Sequence, residues 1–249
     1  MIIKKNIMKK FGIIVTALLL FTTSCDILAD LTVEDLENVM GTEKQGLTTQ
    51  EIVKGLKEAL AVGTGNAVTL LNKEDAFNKN PKFRIPFPEE VVYVEEKLRS
   101  IGLDKVVDDF ELQMNRAAEK AVVKAKPIFV STVKNMSFAD AKNILTGPDN
   151  AATEYFKKQT SNNLIAVFKP QVKNTLDEIS VTKYWNNVTT AYNKIPFTKK
   201  VETDLAQYVT KKTLDALFIQ LADEEKEIRE NPIKRTTEIL KKVFGSLDK

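Results

Sequence analysis

From residue 48 onward, apolar side chains recur every three to four positions. Thr48 and Glu51 have capping-box spacing, and Ile52, Leu56, Ala59, Leu60, Gly63, Ala67 and Leu70 keep one face, which predicts an amphipathic helix. Pro88 suits the first turn of a second helix that carries Val91, Val92, Val94 and Leu98 and is closed by Gly102. Leu103, Val106, Val107, Phe110, Met114, Ala117, Ala118, Ala121 and Ala125 predict a third, ending near Pro127, whose alanines let a neighbour approach closely. Ser137 and Asp140 open a short helix that stops at Gly147-Pro148. A long helix follows through Ala152, Tyr155, Phe156, Leu164, Val167, Phe168, Val172 and Leu176, with Pro170 expected to kink it. Val181, Trp185, Val188 and Tyr192 keep helical spacing in a stretch rich in β-formers. Leu205, Tyr208, Val209, Leu214, Leu217, Phe218, Leu221 and Ile228 mark a further helix, and "NPIKRTTEILKKVFG" a last one, with Pro232 near its start and Gly245 after its end. Nowhere does alternation persist long enough for a strand. The pattern predicts an all-α fold: a single multi-helix bundle-like domain over residues 48–245 and a short tail, 246–249.

Two connectors interrupt the helices, and both contain Ile-Pro-Phe, at Ile85-Pro86-Phe87 and Ile195-Pro196-Phe197. Proline fixes each as an extended crossing, and the Ile and Phe side chains are expected to cap the ends of the core.

Before residue 48 the pattern changes. Lys4, Lys5, Lys9 and Lys10 precede an apolar run from Phe11 to Phe21, and small polar residues then lead to Cys25. The run is too short for the roughly 20 residues that span a bilayer and suits a signal peptide. Phe21-Thr22-Thr23-Ser24-Cys25 resembles a bacterial lipobox, with Thr22 where leucine is commonest. The reading is a lipoprotein signal peptide over residues 1–24, lipidation at Cys25, and a tether over 25–47 that holds the body about 25 Å from the anchor. Cys25 is the sole cysteine. Its alternative fate is a free or discarded thiol in an ordinary secreted protein, and unpaired exposed cysteines are unusual in oxidising compartments.

Removal of the leader reverses the charge. The whole chain has 37 basic and 34 acidic residues. Four of the lysines lie in the leader, so the mature chain is slightly acidic and lacks the cationic excess that nucleic-acid binding requires. The absence of histidine removes Ser-His-Asp and Cys-His machinery and His-ligated zinc. Carboxylate pairs, a Ser-Lys dyad, an activated Tyr or Lys, or a hard metal on oxygen ligands remain.

Individual motifs add little. "GTGNAV" at Gly63–Val68 lies inside helical periodicity, where close helix packing explains it better than a dinucleotide loop. Ser131-Thr132-Val133-Lys134 matches S-x-x-K, but its companion motifs are missing. "ADEEKE" at Ala222–Glu227 has no glycine turn for calcium and reads as a solvated helix end. Two polar clusters stand out. Asp108, Glu111, Asn115 and Glu119 follow helical spacing beside Arg116, and "EEKEIRENPIKRTT" gathers Glu224, Glu225, Arg229, Asn231, Arg235, Thr236 and Thr237.

"EIVKGLKEAL", "MNRAAEKAV", "AKPIF", "AATEYFKKQT", "EEKEIRENPIKRTT" and "KKVFG", in that order, resemble a bacterial family of secreted proteins and lipoproteins known as domain of unknown function number four-one-nine-seven. The resemblance runs from Leu47 to Gly245 and implies one helical domain in the cell envelope. It brings no catalytic residues with it.

These readings make the protein a lipid-anchored envelope protein held outside the cytoplasm, at the outer or inner membrane. Its expected partners are the membrane, through the anchor, and an envelope protein, lipid or polymer, with no nucleic acid, cofactor or metal. The first function is a non-enzymatic binding or scaffolding module. The alternatives are a carboxylate-based hydrolase of an envelope glycan or ester, with Glu119 and Glu224 as the pair, and a bundle that opens around an acyl chain. The candidate cluster is Asn115, Arg116, Glu119, Glu224, Arg229, Asn231 and Arg235. Glu119 is expected to pair with a C-terminal arginine beside the principal cleft.

Overall fold

The computed structural model describes residues 48–178, 185–186, 189–190, 193–194, 196–197, 200 and 204–245. The leader, Cys25, the tether, the tail and most of the helix read through Val181 and Tyr192 lie outside the described residues. Eight α-helices are described: α1 (Thr49–Leu71), α2 (Val92–Ser100), α3 (Asp104–Val122), α4 (Ala125–Asn135), α5 (Phe138–Thr146), α6 (Ala151–Asp177), α7 (Leu205–Glu230) and α8 (Glu238–Gly245). No strand occurs among the described residues, and the helices share one hydrophobic core, so the fold is all-α. The long helices α6 and α7 pack together, α3 lies across both, and α1 joins α7 to α4, α5 and α8.

The helix ends obey the capping chemistry that the sequence announces. Thr48 accepts from the Glu51 amide while the Glu51 carboxylate accepts from the Thr48 amide at 2.9 Å, and Ser137 and Asp140 repeat the box at α5. At the end of α2, Gly102 turns to φ +81°, and the Leu103 amide reaches back to the Leu98 carbonyl at 3.0 Å. That left-handed turn needs a residue without Cβ.

Two boundaries differ from the periodic reading, while the long helix through Pro170 runs as that reading has it. The stripe of α3 ends at Val122, and a separate helix, α4, begins at Ala125. Pro127 therefore sits in the first turn of a helix, where its missing N–H costs nothing, rather than at a helix end. Pro170 lies inside α6, which continues past it to Asp177. Near the C-terminus, Pro232 starts only a 3₁₀ turn (Pro232–Lys234); α8 begins after Thr237, whose hydroxyl accepts from the Leu240 amide, and it includes Gly245.

Two glycines of α1 mark close crossings. A Cβ on Gly55 would stand 2.6 Å from Val243 Cγ2, so α8 rests directly on the α1 backbone. Gly63 faces Ile228 and Glu224 of α7, which makes "GTGNAV" a packing site, as its place in the helical period implies. Many buried threonines answer their own helices: Thr64, Thr160, Thr175, Thr189 and Thr213 each donate to the carbonyl four residues back.

Candidate functional site

The two polar clusters form two separate sites. On α3, Glu111, Asn115 and Glu119 are spaced four apart and are all buried. They hold the backbone of the first connector. Asn115, with no exposed surface, accepts from the Ile85 amide at 2.8 Å and donates back to the Ile85 carbonyl at 3.0 Å. Its second amide hydrogen goes to the Glu111 carbonyl at 2.7 Å. Glu111 accepts from the Phe87 amide and pairs with Arg84, and Glu119 accepts from the Phe77 amide at 3.1 Å. The helix thus supplies the pairing that a neighbouring strand would otherwise give an extended segment.

Arg116 extends this cluster along the connector. It meets Glu119 at 2.7 Å, Asp75 at 2.7 Å and Glu74 at 3.0 Å. Asp75 has φ +66° and is held below the usual carboxylate range, first by Lys79 and then by Arg116 and Asn78, against the opposing effect of burial. Beneath the connector, Phe87 lies 4.7 Å from Phe110 and 6.4 Å from Trp185, ring centre to ring centre. Tyr208 of α7 ties the segment from the other side by donating to the Pro86 carbonyl at 3.0 Å.

The second cluster centres on Glu225. This buried carboxylate accepts from the Ala152 amide at 2.9 Å, the Thr153 amide at 2.9 Å and the Thr153 hydroxyl at 2.8 Å. It therefore caps the N-terminus of α6 from the C-terminal part of α7, and the dipole of α6 favours a negative charge there. Arg229, one turn on, binds the same carboxylate at 3.0 Å and donates to the Ile144 carbonyl at 2.8 Å. Arg235, only 2% exposed, donates to the carbonyls of Ile228 and Arg229 and closes the end of α7. Beside Glu225 lies a small cavity of about 20 Å³, with Leu56, Leu60, Leu221, Ile228 and Phe244 in its wall.

The expected pair between Glu119 and a C-terminal arginine is not formed. Glu119 takes its arginine from its own helix, three residues earlier, and Arg229 is engaged by Glu225. Asn231 caps the 3₁₀ turn by accepting from the Ile233 amide and donates to Glu227. Glu224 accepts from Asn66 of α1 at 3.1 Å and from Gln220. Asn115, Arg116 and Glu119 therefore belong to the connector, while Glu224, Arg229, Asn231 and Arg235 serve α7 and its neighbours. The reading of residues 222–227 as a solvated helix end fails at Glu225, because that position shares the apolar stripe of Leu221 and Ile228. An acid four residues after one core position and three before another was the available signal. Arg84 and Thr153 carry no such mark.

Among the described residues, no group of three or more Asp, Glu, Cys or His side chains is placed to hold a metal ion. None of the described helices is long and apolar enough to cross a membrane. No curated protein and no solved structure matches the chain. A family model described as "protein of unknown function (DUF4197)" matches residues 46–245, which takes in both clusters and every described helix. The chain belongs to this family.

Proposed function

We propose that this protein is a lipid-anchored, non-enzymatic binding or scaffolding module of the cell envelope. The observation that carries the reading is the use made of the buried carboxylates. Glu111, Glu119 and Glu225 all accept from backbone amides of a second segment, and each also pairs with an arginine. A general acid or base needs a carboxyl that substrate can reach, whereas these three are buried and already engaged by amides and arginines, which suits a fixed brace. The cavity beside Glu225 has room for about one water molecule, far less than a sugar or an acyl chain occupies. Glu119 and Glu224, the pair a hydrolase would use, address different elements.

Anchoring rests on the order of basic residues, apolar run, small residues and Cys25. Fractionation of wild type and Cys25→Ala tests it. Wild type is expected in the membrane fraction with an acylated Cys25, and the variant as an unacylated precursor. A titratable thiol on the purified mature protein would overturn the anchor.

A further inference from the structure

The surface of the bundle is electrically lopsided. Residues 89–111, covering α2 and the first half of α3, hold eight acidic residues, of which Glu111 is buried, against three basic ones. Residues 120–139, covering the end of α3 and all of α4, hold Lys120, Lys124, Lys126 and Lys134 and no acid. All four lysines are exposed, and none has an ion pair among the described residues. On α4, Lys126, Val130 and Lys134 form one exposed row at four-residue spacing, and Val123 is exposed beside Lys124. The basic surface continues onto α1. Lys57 donates to the Lys134 carbonyl at 3.3 Å, and Lys54 and Lys57 line an open groove of about 410 Å³ with Val53 and Phe138. The acids on these neighbouring segments are few: Asp140 is engaged by Ser137 in its capping box, Glu51 by Thr48 and Lys242, and Glu58 makes no ion pair among the described residues.

The groove lies along the first turns of α1, whose cap, Thr48, directly follows the last residue of the tether read from the sequence. Lysines interspersed with exposed valines, at the end of the body nearest the anchor, are the chemistry of a face that rests on an anionic lipid surface. We infer that the α4 face, with Lys54 and Lys57 of α1, docks onto anionic phospholipid headgroups and turns the acidic α2 end away from the bilayer. The inference rests on the lipid-anchor reading above. A flexible tether with an average reach of about 25 Å lets the body touch the surface repeatedly, and at contact the surface potential, which acts within about a Debye length, favours the basic face.

The test uses the full lipidated chain in vesicles of phosphatidylcholine alone or of equimolar phosphatidylcholine and phosphatidylglycerol, both doped with a headgroup-quenching lipid. With Cys25 acylated, a cysteine introduced by Ser131→Cys on α4 or by Asp109→Cys on α3 is the only thiol and takes one fluorophore. On anionic vesicles the label at position 131 should be quenched several-fold more than the label at position 109. The difference should vanish on neutral vesicles, in high salt, and in a variant carrying Lys124→Gln, Lys126→Gln and Lys134→Gln. These lysines are exposed, so an unchanged far-ultraviolet spectrum is expected of that variant. Protein that floats with anionic vesicles but shows equal quenching at both positions overturns the orientation and leaves the anchor standing. A difference that persists unchanged on neutral vesicles overturns the electrostatic assignment. Protein that floats with neither vesicle overturns the anchor, and the orientation with it.

Discussion

The same tripeptide, Ile-Pro-Phe, occurs in both long connectors, and its phenylalanine meets opposite fates. Phe87 is 6% exposed and lies against Phe110 and Trp185. Phe197 is fully exposed and has φ +62°. The tripeptide cannot account for the difference, so the cause lies in what faces it. The first connector runs along a helix that offers it a carboxylate, a carboxamide and a second carboxylate at four-residue spacing, each aimed at a backbone group. A hydrophobic side chain is buried only when the polar backbone that carries it is also satisfied, and Asn115 and Glu111 meet that condition for Ile85 and Phe87.

Phe87→Ala should be the most damaging change in either connector. Removing a buried ring from the cluster with Phe110 and Trp185 is expected to cost about 3–5 kcal/mol, read as a lower urea midpoint at unchanged slope. Asn115→Leu comes next. It fills the volume but strands the Ile85 amide and carbonyl, at about 2–4 kcal/mol. A variant as stable as wild type would show that the connector is held by its side chains alone.

Glu119→Gln keeps an acceptor for the Phe77 amide and loses the charge opposite Arg116, for about 1–2 kcal/mol. Combined with Arg229→Gln, the two losses should add, because the residues share no partner. Strong non-additivity would reconnect the clusters that the structure separates.

Acid sharpens the comparison through a smaller effect. The depressed pKa of Asp75 contributes stability that is complete above the ordinary aspartate range and lost as pH falls through the lowered value. Amide protection across residues 75–87, taken relative to the intrinsic exchange rate at each pH, should therefore fall below about pH 4. Over the same range the α1 cap weakens. Glu51, lowered to about 2 chiefly by the Thr48 amide and then by Lys242, contributes stability that is full above its ordinary value and lost as pH falls toward 2. Phe197→Ala should do least, shifting the midpoint by no more than about 0.5 kcal/mol, since no burial is lost. A larger loss would mean that Phe197 is covered in solution.

How far the sequence announced this can be judged residue by residue. The caps at Thr48 and Ser137, the stop at Gly102 and the apolar stripes of α1, α6 and α7 were legible, because each depends on neighbours within one or two turns. α4 was not, since Pro127 reads equally well as a terminator or as a first-turn residue. The buried polar row of α3 was visible as spacing, but its partner was not. Asn115 and Ile85 are thirty residues apart, and no local rule says which backbone a carboxamide will reach. Glu225 broke the polar–apolar phase of its helix, and its purpose, capping a helix that begins at residue 151, lies in the tertiary fold alone.

The seat of α8 on Gly55 has a topological consequence. With Lys242 bonded to Glu51 at 3.0 Å, the last helix runs beside the first turns of α1, and the two ends of the folded body are neighbours. A short linker could join residue 245 to residue 48, and new termini could be opened in the exposed turn at residues 148–150. Such a circular permutant would keep every helix. It would also move the point of attachment to the far end of α5, and so present a different side of the bundle to whatever the chain is tied to.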